Sequence, residues 1–444
     1  MRRHAVLAIL TLALSALACG LPAEQPPDSQ AIQTQVAATL TALAEPEGLE
    51  PSPEPSATSM PSPSPEPPVS IAYILAGNLW VIQGETPPRQ LTSSGGALQA
   101  VLSDDSTQVA FIHRGEPEGL GELRLFDLTT ATERLLLSRE ALQGLYPPEE
   151  GVLGIAVNQM AFLPGSHDLV FNTLSVPEFI GLIKNDDLLR LDTASAALST
   201  LLPAGSGGDF TIAPDGSRIA VTRPTQIDLV NSDGTNHQAA LINFPFVMTY
   251  SEYAYYPRPV WSPDSGQLAV LIPSEDPLAP DPSATIWRIP AGGGPASEVA
   301  TIQGQFFFLQ MSGYPLISPD LARVAYAVPT GVPNTDNLVV ANLDGSSPTV
   351  YDTGRVGWEG WAPDGMRFLY RRDTDLNLFL GALGSGPVAI GAGRDARWLD
   401  PQTFVYNAQA AGGGWDLVRY SGVSGPTILA HSPDRPIPFA VPRP

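Results

Sequence analysis

Residues 211–222 read TIAPDGSRIAVT, and the phrase returns as VWSPDSGQLAVLI at 260–272 and GWAPDGMRFLYR at 360–371. In each copy a tight turn follows an apolar residue. Pro presets φ at about −65°, Asp accepts hydrogen bonds from the backbone amides just ahead, and Gly tolerates positive φ. After the turn, apolar residues alternate, as at Ile219 and Val221 or Leu268, Val270 and Ile272, with the period of a half-buried strand.

Four weaker copies lie outward from these, at 101–112 (VLSDDSTQVAFI), 161–172 (AFLPGSHDLVFN), 316–328 (LISPDLARVAYAV) and 397–408 (RWLDPQTFVYNA). Each is followed by further strand-like segments. An eighth unit, SIAYILAGNLWVIQGETPPRQLT (70–92), has the later strands without the turn. Residues 69–444 thus divide into eight units of roughly 47 residues, a length that suits four short strands and their connections. The expectation is an all-β chain, a β-propeller of four-stranded blades, with eight blades counted and seven allowed by the degraded turns. An apolar residue before each turn (Leu102, Phe162, Ile212, Trp261, Ile317, Trp361, Trp398) is expected to face a neighbouring blade. Asp215, Asp264, Asp320 and Asp364 are assigned to turn structure, because their position in the repeat accounts for them without catalysis or calcium. The first unit lacks its opening strand, and the tail around Ile437-Pro438-Phe439-Ala440-Val441 is expected to supply it and so remove an exposed edge.

The turn and the strand after it resemble the WD-like β-propeller repeats of the TolB-like family, whose hallmark is W-S-P-D-G followed by I-A-F. The resemblance covers about residues 70–440. It departs at Gly165, where Asp is expected, at Asp104-Asp105, and at Leu399-Asp400-Pro401. The family has six blades and an extra N-terminal domain; eight units and a different leader stand here, so the family's Tol-system partner is not implied.

The 444 residues include 46 Pro and 41 Gly, and 43% of the chain is hydrophobic, enough to build a core around many turns. A net charge of −22 argues against a nucleic-acid partner, since nothing offsets phosphate repulsion. One cysteine excludes a disulfide framework and a Cys-based metal site.

That cysteine stands at Ser15-Ala16-Leu17-Ala18-Cys19, after Arg2, Arg3 and an apolar stretch from Ala5 to Ala18. The pattern is that of a secretory signal and is too short to span a bilayer comfortably. It resembles a bacterial lipobox, with Ala16 where Leu is most usual. In that family the cysteine becomes the acylated N-terminus, so the resemblance implies an extracytoplasmic protein anchored by lipid on Cys19 to a bacterial cell membrane. The expected organisation is a lipoprotein signal peptide (1–18), a lipidated N-terminus with a short amphipathic helix (19–44), a linker (45–68) and the propeller (69–444). The helix is suggested by Ile32, Val36, Leu40 and Leu43 on one stripe. The linker, EPEGLEPSPEPSATSMPSPSPEPP, is a disordered Pro-rich stalk; as polyproline II it would reach up to about 70 Å.

In a four-stranded blade the a–b and c–d turns open on one face and the b–c and d–a connections on the other. The long segments fall in the second class: 113–121, 173–187 and 273–283 between strands b and c, and 138–154, 243–259 and 303–314 between blades. Loops on a rigid scaffold are where recognition usually resides. Two consecutive d–a connections carry Tyr250, Tyr253, Tyr255, Tyr256, Phe306, Phe307, Phe308 and Tyr314, the candidate binding face. Aromatic side chains there suit protein or sugar recognition, offering large area at little entropy cost; the same residues can instead pack as a small loop core. Glu149, Glu150, Glu178, Asp276 and Asp281 add acids around them.

The chemistry-bearing residues form no catalytic pattern. His113, His167, His237 and His431 are isolated, without the i, i+4 spacing of a metal helix. Asp186-Asp187 and the Asp276/Asp281 loop leave calcium open, although no D-x-[DN]-x-[DN]-G loop occurs; no other cofactor is implied. The segment 391–396 fits G-x-G-x-x-A but sits between blades with no helix after it. A G-x-S-x-G elbow, as in peptidases that carry a propeller ahead of a hydrolase domain, does not occur either. The function expected is therefore capture of a protein or peptide at the cell envelope rather than catalysis. The alternative is a glycan-binding or glycan-active (hydrolase or lyase) propeller.

Overall fold

Each sequence unit folds into one antiparallel sheet of a ring, as blade 4 shows most simply. Its strands Asp209–Ile212, Arg218–Arg223, Gln226–Asn231 and Gln238–Asn243 pair in the order a–b–c–d. The structure is a computed structural model describing residues 70–114, 120–179, 181–310, 313–374 and 376–443. The signal peptide, Cys19, the helix within 19–44 and the stalk at 45–68 lie outside the described residues.

Among the described residues the ring has eight blades. Blade 6 has Arg323–Pro329, Asp336–Asn342 and Thr349–Gly354 as strands b to d, and its inner strand is reduced to the bridge between Ile317 and Val324. Blades 7 and 8 share one long strand, Val388–Asp400, which is d of the first and a of the second. Its Gly391–Ala396 portion is thus strand, and the nucleotide-loop pattern there has no structural counterpart.

Strand b is buried on both faces, not half-buried as its alternation suggests. Ile219 and Val221 pack toward blade 3, while Ala220 between them packs toward blade 5. A blade sandwiched between neighbours has no wet face, which is why its central strands read as near-continuous apolar runs. The residues before the turns face the preceding blade as expected: Leu102 against blade 1, Phe162 against blade 2, Ile212 against blade 3 and Trp398 against blade 7.

The Pro-Asp turns are built as the sequence reads. Asp215 Oδ1 accepts from the Ser217 amide at 2.9 Å, Asp264 Oδ1 from Gly266 at 3.0 Å, Asp320 Oδ1 from Ala322 at 3.1 Å and Asp364 Oδ1 from Met366 at 2.8 Å. Gly216 and Gly365 take positive φ, but so do Ser265 and Leu321 at the equivalent position. The turns also tie blades together: the Asp215 amide donates to Ser265 Oγ at 3.0 Å, and Arg367 reaches the Pro401 carbonyl at 2.6 Å. A feature absent from the sequence reading is a register shift in the c–d pair of blades 2 to 8, which increases the twist of each outer strand.

The tail closes the ring. Phe439–Ala440 pairs antiparallel with Ser70–Leu75 as the inner strand of blade 1, Tyr73 opposite Phe439 and Ala72 opposite Ala440. Ile71, Tyr73 and Ile82 of blade 1 then share a cluster with Val405 and Leu417 of blade 8 and with Ile437 of the tail.

Candidate functional site

The connections on the loop face are unequal around the ring. Blade 1 joins strands b and c through Ala76-Gly77 alone, and blade 7 runs into blade 8 without a break. Blades 2 to 6 carry the long segments. In blade 3 the strands Val152–Phe162 and Leu169–Pro177 extend the sheet, with Ile183–Lys184 added as a fifth strand. Ahead of them a short helix, Arg139–Gln143, is capped by Ser138 Oγ, which accepts from the Ala141 amide at 3.2 Å. A second, Phe307–Gln310, lies between blades 5 and 6. The loop face is therefore a wall on one side of the channel mouth and low on the other.

The eight aromatic residues singled out in the sequence divide into four groups. Phe306, 2% exposed, stacks on Tyr326 and belongs to the blade core. Phe307, 4% exposed, meets Tyr255 with ring centroids 5.7 Å apart, and the Tyr255 hydroxyl donates to Gln310 Oε1. These form the loop core that joins two consecutive connections. Burial pushes the Tyr255 hydroxyl well above its ordinary pKa. Tyr250, Tyr253 and Phe308 stand exposed at 61%, 46% and 49%. Phe308 rests edge-on against Phe307, and the Tyr250 hydroxyl donates to Asp276 Oδ1 at 2.7 Å, tying the blade 4–5 connection to the b–c loop of blade 5.

Tyr256 and Tyr314 are half-buried, each with a cation over its ring. Tyr256 donates to Asp186 Oδ1 at 2.9 Å, and Lys184 Nζ lies 3.5 Å from its ring centroid. Lys184 also pairs with Asp209 at 2.6 Å. Burial pushes the Asp186 carboxyl up against the opposing pull of the Tyr256 hydrogen bond and Lys184. Tyr314 donates to the Ala396 carbonyl at 3.0 Å, with the Arg397 guanidinium 4.6 Å from its ring centroid. Of the acids weighed for calcium, Asp187 is fully buried, accepting from the Thr173 amide at 2.7 Å and the Tyr146 hydroxyl at 2.6 Å, while Asp186 holds Tyr256 and Asp276 holds Tyr250. Among the described residues no three His, Cys, Asp or Glu side chains are grouped to hold a metal ion, and no helix is long and apolar enough to cross a membrane.

Two recesses open at the foot of the wall. One of about 280 Å³ is bordered by Tyr253, Tyr255 and Phe307; another of about 390 Å³ by Asn158, Gln159 and Pro257. They share Lys184, Asp209 and Arg258. Sequence reasoning missed these charged residues, because they come from blades 3, 4 and the blade 4–5 connection and carry no motif. The available signal was positional: Asp209 opens an inner strand and Arg258 precedes one, where a side chain reaches the channel mouth.

A closed ring of eight antiparallel blades, most of them four-stranded, with a loop wall over its channel, defines an eight-bladed β-propeller. No protein-family profile matches the chain, and no curated protein sequence matches it. Among solved structures it is similar to dipeptidyl peptidase 4 from Porphyromonas gingivalis, at 10% identity over 81% of this chain and 59% of that one, with a TM-score of 0.51. It is also similar to the β-propeller domain of the Trilobed protease from Pyrococcus furiosus (11% identity, 77% of this chain and 99% of that one, TM-score 0.45). TolB from Acinetobacter baumannii gives 16% identity over 62% of each chain, with a TM-score of 0.33. The chain spans less than two thirds of the length of TolB and of the dipeptidyl peptidase. At such identities the likeness concerns the fold.

Proposed function

We propose that this is an extracytoplasmic protein, held by lipid on Cys19 to a bacterial cell membrane, whose propeller captures a protein or peptide on the loop wall of blades 2 to 6. It acts by binding, not by catalysis. One observation carries the reading. Among the described residues seventeen large apolar side chains are exposed, and eleven of them, from Leu153 through Phe179, Phe246, Tyr253 and Phe308 to Val332, lie on this wall. Exposed apolar area gathered on one part of one face, beside acids and a charged recess, is what a partner would cover.

The test is site-specific photocrosslinking in the native envelope, with the crosslinker at Tyr253 or Phe308 and, as control, at Val423, which is exposed in the c–d turn of blade 8 on the opposite face. Adducts of one defined mass from the wall positions alone support the proposal; equal labelling from Val423 refutes it. A second reading draws on the recess, where Asn158, Lys184 and Asp209 lie near Tyr255: an amide, charges and a ring are what a sugar would need. Retention or loss of polysaccharide on incubation with the purified chain would favour that glycan reading.

A further inference from the structure

Among the described residues, three charged side chains line the two recesses at the foot of the wall, Lys184, Asp209 and Arg258, and all three border both. Two of them are engaged with each other. Lys184 Nζ holds Asp209 Oδ1 at 2.6 Å, and the Asn158 amide donates to the same oxygen at 3.4 Å. Arg258 remains. Its Nη1 donates to the Gly313 carbonyl at 2.9 Å, and among the described residues no carboxylate pairs with it. A guanidinium carries five N–H donors in a planar fork, so one bond to a carbonyl leaves most of them for a ligand. Arg258 is exposed and borders both recesses, which puts those donors within a solute's reach.

The chain holds this guanidinium in place. Pro257 and Pro259, both buried, flank Arg258. Each ring locks its own φ at about −65°, and a residue before proline is pushed to extended backbone, so the Arg258 main chain has little freedom. The guanidinium packs against Gly313: a Cβ on that glycine would lie 3.6 Å from Nη2 and 3.7 Å from Nη1 and Cζ. A cation fixed in this way loses little entropy when it binds.

In a chain with 45 acids against 23 bases, a lining of two cations and one acid is locally positive. Lys184 offsets Asp209, so the uncompensated charge is that of Arg258. The group that matches it is a carboxylate, whose two oxygens fit the fork with parallel bonds. Asp209, and Asp186 held by Tyr256, oppose a second negative charge on the ligand. Beside Arg258 the smaller recess is bordered by Tyr253, Tyr255 and Phe307. The hydroxyls of Tyr255 and Tyr256 are given to Gln310 and Asp186, so this part offers ring surface rather than partners for sugar hydroxyls. We infer that the paired recesses bind the C-terminal residue of a peptide, its carboxylate on Arg258 and its apolar side chain against Tyr253, Tyr255 and Phe307. The inference rests on peptide capture at the wall and names the part of the peptide that is read.

The experiment measures binding of N-acetylphenylalanine and of N-acetylphenylalaninamide, which lacks the charge, to the full-length chain in detergent by titration calorimetry. The expected result is a preference for the acid of roughly ten-fold or more, the worth of a charge-assisted hydrogen bond. Arg258→Gln, at an exposed position, should keep the melting temperature and abolish the preference. Asp209→Asn should raise the affinity for the acid, since it removes the opposing charge and releases Lys184; misfolding does not produce such a gain. Equal affinities in the native chain, a preference kept by Arg258→Gln, no gain in Asp209→Asn, or tighter binding of galacturonate than of N-acetylphenylalanine would each overturn it. A wall that crosslinks in a chain without the preference would sink this inference and leave the capture reading standing; the preference in a chain whose wall does not crosslink would do the reverse. If a variant does not fold, the probe pair on the native chain decides.

Discussion

The side-chain amide of Asn407 in blade 8 pairs with both backbone groups of Ile437: Nδ2 donates to the carbonyl at 3.1 Å and Oδ1 accepts from the amide at 2.8 Å. Both residues are buried. Two positions later the chain becomes the closing strand, so Asn407 holds the segment on which closure depends. The device recurs. Gln159 in blade 3 pairs in the same two-way manner with Phe210 of blade 4, at 2.8 and 3.1 Å, and Gln143 pairs with Ile155 at 2.9 and 2.6 Å. An amide side chain has one donor and one acceptor group, so it can replace a missing strand where two segments approach without a ladder.

Asn407→Ala should therefore destabilise the ring by about 2–4 kcal/mol, because it leaves a buried N–H and a buried C=O unpaired. The denaturant midpoint measures it. Deleting 433–444 should cost more, since it also uncovers Tyr73 and removes Ile437 from the blade 1–8 cluster. A melting temperature unchanged by that deletion would contradict closure by the tail.

Gly216 and Gly165 separate backbone strain from crowding. Both have a φ of +72°, but a Cβ on Gly216 would lie 2.3 Å from the Pro164 carbonyl oxygen, whereas one on Gly165 would meet nothing within 4 Å. Gly165→Ala should cost about 1–2 kcal/mol for the left-handed conformation alone. Gly216→Ala should cost clearly more and loosen blade 3 from blade 4. Equal losses in chemical denaturation would show that the close approach is absent.

The acid limb of stability should depend on Asp105. Burial alone would raise its carboxyl, but hydrogen bonds from Ser103, His167 and Thr107 outweigh it and lower the pKa to about 2. The folded value lies below the unfolded one, about 3.9. The contribution is thus fully present above pH 4 and is lost as the pH falls toward 2. Asp215 and Asp264 are shifted the same way, Asp264 by hydrogen bonds from Ser262 and the Gly266 amide. Asp105→Asn should lower stability at neutral pH and flatten its fall between pH 4 and 2; parallel acid titrations of variant and native chain would count against this assignment.

The architecture was legible because the turn is local: Ala213-Pro214-Asp215-Gly216 makes its own hydrogen bonds, and its recurrence counts the blades. Even where the residues degrade, as at Leu321, the backbone keeps the positive φ, since the surrounding sheet imposes it. The site was legible only in part. That Tyr255 meets Phe307 follows from neighbouring connections, but which rings sink depends on packing that periodicity does not encode: Phe306 and Phe308 are two residues apart and end in the core and in solvent. Lys184, Asp209 and Arg258 converge through the ring's curvature, which leaves no trace in local sequence.

That division of the aromatic run gives the sharpest test of the wall. Tyr253 and Phe308 are exposed, so Tyr253→Ser with Phe308→Ser should leave the melting temperature within about 1–2 °C of the native chain, as surface changes usually stay within about 0.5 kcal/mol. Phe307→Ser removes a buried ring between Tyr255 and Phe308 and should cost about 3–5 kcal/mol. The exposed pair is nevertheless the one whose loss should abolish crosslinking to a partner at the wall, because a centrally placed aromatic contributes more to an interface than to its own fold. Thermal melts, and crosslinking yields from a crosslinker placed at the exposed Phe246 of the same wall, separate the two effects. A double variant that folds normally and still crosslinks at full yield would show that the wall's apolar side chains do not form the contact.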